Sequence, residues 1–398
     1  MTDRPAATAL RPAPVPPART LPDPARPAVT ELRLPAYAGH RGTTMPLGPL
    51  TLLTGPSGSG KSSALRAYEA LSRLASGAEL AEAFPDPAGC IPERARPDAQ
   101  RRRGFRLGCT ADGPAGHVRL DLAVQAEPEL RIVGEQLSVG GAPLLRTALR
   151  EPRLRTVQAE WHPAGDTPTA LAPLPDDRLG TALLPLRVAG RTAGQRRVLA
   201  AAEQVLLALR PVFACDPRPA AMRAPMPLGP GRLLGDCRNL AEVLRRTRTE
   251  CTHRHARLVA AVREGCPGRV DDLYTEDLAD GTVRAVLDRG DGVRTPLERL
   301  GEGELHRLAL ALVLLTGPGV LEVDPVAEVP SALQALTVLA DGFDRPLDPR
   351  QAAGLTELAA EMCRRGHIRL LAAVRQPPPL PTGTGPAALV PTVVDLAG

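Results

Sequence analysis

Apolar and polar residues alternate one for one along "HVRLDLAVQ" at 117–125, the period of a half-buried strand, and "ELRIVGEQLSV" at 129–139 continues the pattern. The two predict an antiparallel patch. "VTELRLPAY" at 29–37 and "PLTLLTG" at 49–55 also have strand character. Directly after the second the period changes. In "KSSALRAYEALSRLAS", Leu65, Tyr68, Leu71 and Leu74 fall on one stripe, as a helix packed on one side requires. Strand, short turn and helix therefore follow one another within 49–76.

The later pattern predicts helices near 195–210 and 238–263, separated by the breaker-rich "CDPRPAAMRAPMPLGPGR". A hairpin is expected over 282–297 with Gly290, Asp291 and Gly292 at its turn. Next come a helix from Glu304 to Thr316, a strand "GVLEV" at 319–323, helices near 331–340 and 351–364, and strands at 368–374 and 388–396. Residues 1–28 are Pro-, Ala- and Arg-rich without periodicity and read as a disordered or polyproline-like tail. Residues 84–104 form a Pro/Arg-rich excursion, and 150–186 read as loops. Strand–loop–helix in front and alternating helices and strands behind predict one discontinuous α/β domain over 29–396. Its front lobe is 29–150, its back lobe 280–396, and 190–265 is a helical insertion.

Composition changes this picture at one point. The chain has 398 residues and 49 Lys and Arg together, yet a single lysine, Lys61. It stands inside "GPSGSGKSS", residues 55–63, which satisfies G-x-x-x-x-G-K-S/T. Glycines at Gly55, Gly58 and Gly60 let the loop curl until successive N–H groups converge on phosphate oxygens. Pro56, Ser57, Ser59 and Ser63 complete the loop, and the helix behind it adds its positive end. Lys61 is a compact charge on a flexible stem, suited to β- and γ-phosphates where a planar guanidinium is too wide. The Ser62 hydroxyl is the expected ligand of Mg²⁺. These residues predict ATP and Mg²⁺ as cofactors.

About 240 residues on, "LERLGEGELHRLALALVLLTGPGVLEVDP" resembles the signature region of the ABC/SMC/RecF-like ATPases, predicted members of which are often labelled AAA-type. There an L-S-G-G-E/Q loop opens a helix, and a hydrophobic strand ending in acidic residues follows. The resemblance, spread over roughly 29–396, implies a P-loop NTPase fold: an ABC-ATPase-like head with an antiparallel β lobe and a helical insertion. It implies head-to-tail pairing, as a homodimer or with another ATPase subunit, in which one head's signature loop caps the nucleotide on the other. Carried over, Gly301, Gly303 and Glu304 form the signature loop, with Gly301 in place of serine and Glu302 in place of a glycine. Asp324 is the acidic residue, as Mg²⁺ ligand or as base. Only one carboxylate stands where the family has two, and Glu322 and Glu328 are the candidate substitutes. Arg375 stands where a switch histidine is expected. Gln125 and Gln136 are candidates for a Q-loop. The expected activity is ATP hydrolysis, weakened by these departures. A non-hydrolysing nucleotide-gated scaffold and a P-loop small-molecule kinase are the rival readings, the distant signature arguing against the second.

The remaining features change less. Net charge is +5, enough to permit nucleic-acid contact without demanding it. The arginines between 94 and 106 lie where related ATPases touch DNA, but only Phe105 is interleaved, and a solvated loop is the plainer reading. Cys251, His253, His255 and Cys266 match no familiar zinc spacing, and an exposed helix is expected there. Seven scattered cysteines without a CxxC pair read as reduced thiols. With no signal-peptide core and no apolar run of membrane-spanning length, the sequence predicts a cytoplasmic protein.

Overall fold

The computed structural model describes residues 26–161, 170–317, 319–323, 335–377 and 389–397. Residues 1–25 of the expected tail lie outside them. Arg26 donates to the Gly366 carbonyl at 2.8 Å, and the first strand begins at Ala28.

A five-stranded parallel sheet divides the molecule. Its order is Val212–Cys215, Leu336–Ala340, Ile368–Ala373, Leu50–Thr54, Thr392–Asp395. Leu50–Thr54 and Leu336–Ala340 are buried along their whole length. That is the pattern of a sheet covered on both faces, with no polar side to alternate. Leu53, Leu339 and Leu371 enter one core, which also holds the helix Lys61–Ala75. Leu52, Val338 and Leu370 enter a second, with the helices Glu302–Leu315 and Pro349–Arg364.

The first core is closed by an antiparallel sheet of eight strands, in the order His40–Pro46, Ala28–Tyr37, Arg103–Asp112, Val118–Glu127, Arg131–Val139, Ala142–Ala148, Thr156–Trp161, Ala170–Pro175. Helices Lys61–Ala75 and Ala193–Leu209 pack between the two sheets. Leu65, Tyr68, Leu71 and Leu74 are buried there as their spacing predicts, each stabilising by roughly 1.5–3 kcal/mol. The Tyr68 hydroxyl lies 3.4 Å from Thr337 Oγ1, which ties the helix to the parallel sheet.

The structure differs from the sequence pattern in five places. Residues 319–323 form no strand; a turn there makes one isolated bridge, Leu321 to Leu233. The stretch 335–340, expected to be helical, is instead buried strand. Within 150–186 lie the strands Thr156–Trp161 and Ala170–Pro175 and the helix Gly180–Arg187. The long helix of 238–263 is two, Leu240–Glu250 and Thr252–Gly265, broken at Cys251. Finally, 190–265 is not wholly helical, because Val212–Cys215 supplies an edge strand of the parallel sheet. The hairpin at 282–297 is present: Thr282–Asp288 pairs with Arg294–Pro296 and, on its other side, with Asp272–Asp277.

Candidate functional site

Three carboxyl ends of the parallel sheet open on one cleft of about 680 Å³. Crevices at this end of parallel strands are where α/β proteins receive ligands. The glycine loop forms one wall. Gly55, Gly58 and Gly60 have φ of 132°, 85° and 93°, values that L side chains rarely adopt. A Cβ on Gly60 would also stand 2.5 Å from His40 Nε2, and that imidazole already lies 3.0 Å from the Gly60 carbonyl. Helix Lys61–Ala75 starts at once, and its first intrahelical bond is Ala64 N–H to Gly60 O. The N–H groups of Lys61, Ser62 and Ser63 therefore precede the hydrogen-bond ladder and face the loop.

Lys61 Nζ folds back over this loop. It donates to the Gly55 carbonyl at 2.6 Å and the Pro56 carbonyl at 2.9 Å, and lies 3.5 Å from Ser59 Oγ. Ser59 supports the loop from within. The rest of 55–63 lines the cleft: Gly55, Pro56, Ser57, Gly58, Gly60, Lys61, Ser62 and Ser63.

The opposite wall follows the strand Leu336–Ala340 and consists of Asp341, Gly342, Asp344 and Arg345. In the sheet this strand is separated from Leu50–Thr54 by Ile368–Ala373 alone, which leads to Arg375 at the cleft's third side. Several contacts hold the acidic turn rigid. Phe343 N–H donates to Ala373 O at 3.0 Å, and Arg345 N–H to Gly342 O at 3.0 Å. The Asp344 carboxylate accepts from Arg375 N–H at 3.0 Å and Gln376 N–H at 3.3 Å. From behind, His306 Nε2 lies 3.2 Å from the Phe343 carbonyl. Burial holds the His306 pKa below its ordinary 6.5, which keeps it a neutral donor at this position.

Several residues singled out from sequence are elsewhere. Gly301, Gly303 and Glu304 sit at the start of helix Glu302–Leu315 and do not line the cleft. A Cβ on Gly303 would meet the Pro346 carbonyl at 2.7 Å, so the acidic turn's downstream end explains that glycine. Glu304 is engaged within its own chain: it accepts from Gly301 N–H at 3.0 Å and lies 3.6 Å from Arg289. Burial and the neighbouring Glu304 push the Cys266 thiol up to about 12. Glu322 lines a separate cleft with Arg210 and Gly235. Asp324 and Glu328 lie outside the described residues. Gln125 is buried and donates to Glu129 O at 3.1 Å, and Gln136 is on the eight-stranded sheet; neither lines the cleft.

Among the described residues no cluster of three or more His, Cys, Asp and Glu side chains could hold a metal ion. His255 is not exposed but buried, 2.9 Å from Asp272. Within the basic excursion Arg102 pairs with Asp98 and Arg103 with Glu127. Among the described residues no helix is long and apolar enough to cross a membrane.

The residues that sequence reasoning missed are Asp341, Asp344 and Arg345. A signal existed: "LTVLADG" is an apolar run with β-branched Thr337 and Val338, closed by an acid and a glycine.

No protein-family model matches the chain, and no curated protein matches it. Among solved structures that resemble it are three SMC head domains. One, bound to the C-winged helix domain of ScpA, is 14% identical with a TM-score of 0.48, over 88% of this chain and 90% of that one. The head domain from Thermotoga maritima is 11% identical with a TM-score of 0.40, over 88% and 89%. A head with an extended coiled coil, bound to the C-terminal domain of ScpA derived from Pyrococcus furiosus, is 12% identical with a TM-score of 0.42, over 88% and 90%. At this distance, what the site can do is read from the residues of this chain.

Proposed function

We propose that the chain is an ATP-binding head of the ABC/RecF-like type, loaded as ATP·Mg²⁺ between the glycine loop and the acidic turn. One observation carries the reading. A left-handed glycine loop opens a helix at the end of a central parallel strand, its lysine lies folded over the loop carbonyls, and a carboxylate-bearing turn lines the same cleft. Free amides at Lys61, Ser62 and Ser63 suit phosphate oxygens, and Lys61 would leave the Gly55 and Pro56 carbonyls to grip the β- and γ-phosphates. Mg²⁺ keeps waters and phosphate oxygens as ligands and needs few protein atoms, so the Ser62 hydroxyl and the Asp341 carboxylate suffice. The metal role thus goes to Asp341 rather than Asp324, because Asp341 ends a buried strand of the sheet and lines the cleft.

Hydrolysis is expected to be weak. Gly342 follows Asp341 where the resemblance calls for a second carboxylate, and Arg375 has the histidine's place. Loss of that carboxylate as the water-activating base would cost about 10²–10⁴ in rate. The same two residues favour a nucleotide-gated scaffold as the second reading. Gly301–Glu304 lie away from their own chain's cleft, so a cap from that loop would come from a second copy or another ATPase subunit.

The test is ATP affinity and turnover for the wild type beside Lys61→Ala, with and without DNA. Loss of the charged contacts should weaken ATP by about tenfold to a hundredfold. A folded wild type that ignores ATP, or a variant that binds it equally well, removes the proposal. Stimulation by DNA would identify the basic excursion as a partner surface, and unchanged turnover would leave it a solvated loop.

A further inference from the structure

The acidic turn carries a feature that the proposed nucleotide site does not explain. Gly342 has φ of 65°, and the space its side chain would fill is taken by Arg345. An ideal Cβ at Gly342 would stand 2.9 Å from both Cζ and Nε of Arg345, and 3.0 Å from Nη2. The guanidinium therefore lies across the position next to Asp341, on the wall that faces Lys61.

Arg345 is exposed, yet it is not presented loosely. Its own N–H bonds Gly342 O at 3.0 Å, and the neighbouring Asp344 carboxylate is fixed to the Arg375 and Gln376 amides. Among the described residues no carboxylate pairs with its guanidinium, nor with those of Arg66 and Arg375, the other arginines of the cleft. A planar fork of N–H donors that lines the cleft of the glycine loop, on a turn fixed by several main-chain contacts, is suited to an anion.

We propose that Arg345 is a triphosphate-sensing residue: its guanidinium binds the terminal phosphate from within the same chain and makes the site prefer nucleoside triphosphate to diphosphate. The inference rests on the nucleotide reading of the cleft and adds a selectivity to it. The loop amides hold the phosphates that both nucleotides share, and Lys61 bridges the β- and γ-phosphates. Arg345 lines the same cleft from the acidic turn, and we assign it the third phosphate. Charge at that point also has a direction. A carboxylate beside Asp341 would polarise water, whereas a guanidinium there neutralises phosphate charge and stabilises the bound triphosphate. Such a head would hold ATP and report its presence in place of turning it over quickly.

The experiment measures the affinities of fluorescent ATP and ADP analogues, with Mg²⁺, for the full chain as wild type, Arg345→Gln, Arg345→Lys and Lys61→Ala. The wild type should prefer the triphosphate by about tenfold, the worth of one strong charge-assisted contact. In Arg345→Gln that preference should fall by about threefold or more, to the part that Lys61 supplies, while ADP affinity stays put, and Arg345→Lys should lose less. Lys61→Ala should weaken both nucleotides, the triphosphate more, whereas Arg345→Gln should weaken the triphosphate alone. If Arg345→Gln keeps the wild-type ratio, the sensing role is wrong and the nucleotide site stands. If the wild type binds neither analogue, both fall. Because Arg345 is exposed and its side chain carries no internal bond, the variants should melt with the wild type, which circular dichroism checks.

Discussion

The glycine loop and the acidic turn face each other across one cleft, and both follow strands of one sheet, but they are made differently. The loop at 55–60 is main-chain architecture: left-handed glycines, a helix start, and one lysine laid over its carbonyls. The turn at 341–345 is held by its neighbours, through the Ala373 carbonyl, the Arg375 and Gln376 amides, and the His306 ring. A loop of the first kind is intolerant of any side chain where it curls. A turn of the second kind tolerates changes in what it presents and is sensitive to what clamps it. The two walls should thus fail in different ways when altered.

The largest effect is expected at Gly60. Alanine there meets two obstacles at once, a φ of 93° and the His40 ring at 2.5 Å. The backbone strain alone costs about 1–2 kcal/mol, and overpacking against a buried ring adds roughly 1–3 kcal/mol. Gly58 has φ of 85° but open space around its missing Cβ. Gly58→Ala should therefore show only the backbone part, in denaturant melts and in ATP affinity. Pairing Gly60→Ala with His40→Ala should recover the steric part and not the rest. Equal losses for the two glycine variants would break the distinction.

On the other wall, Asp341→Asn should leave folding intact, because none of the turn's fixing contacts uses that carboxylate. Its effect should appear in the metal dependence: ATP affinity gains from Mg²⁺ in the wild type, and about tenfold of that gain should vanish in the variant. Titrations with and without Mg²⁺ check it. An unchanged Mg²⁺ effect would return the metal role to Asp324.

The same difference in construction explains what could be read in advance. A main-chain cradle needs glycines at fixed spacing, with strand before and helix after, so residues 49–76 state it contiguously. The acidic turn is assembled from distant pieces. Its strand is a five-residue apolar run, and "SALQALTVLA" satisfies a helical period as well as a strand, which is why 331–340 reads as a helix. Meanwhile "GVLEVDP" offers an apolar run closing on an acid, yet among its described residues only Leu321 makes a bridge. The prolines of 150–186 likewise hide "TVQAEW", although its alternate burial follows the period of two. Nothing in local pattern says which apolar run takes the place in the sheet beside Ile368–Ala373. Packing on the Tyr68 face and the second core decides that.

The smallest expected effect lies behind the turn, at His306. It is buried in helix Glu302–Leu315, and its titratable ring is one of the groups that hold the turn. Burial lowers its pKa from 6.5, so the folded state favours the neutral ring and the unfolded state binds the proton more readily. The stability this group adds is fully present above about 6.5 and is lost as pH falls through that value toward the folded pKa. His306→Gln keeps an N–H able to reach Phe343 O and cannot titrate. It should cost about 1 kcal/mol or less at pH 8 and flatten the decline in stability between pH 7 and 5. Some slope should persist, since burial also lowers the His367 pKa. His306→Ala leaves the buried carbonyl without this donor and should cost about 1–3 kcal/mol at both pH values. If the glutamine variant instead weakens ATP binding as much as Asp341→Asn while melting like the wild type, the turn is coupled to the helix more tightly than a clamp requires. The helix at Gly301–Glu304 would then act on the cleft through Phe343.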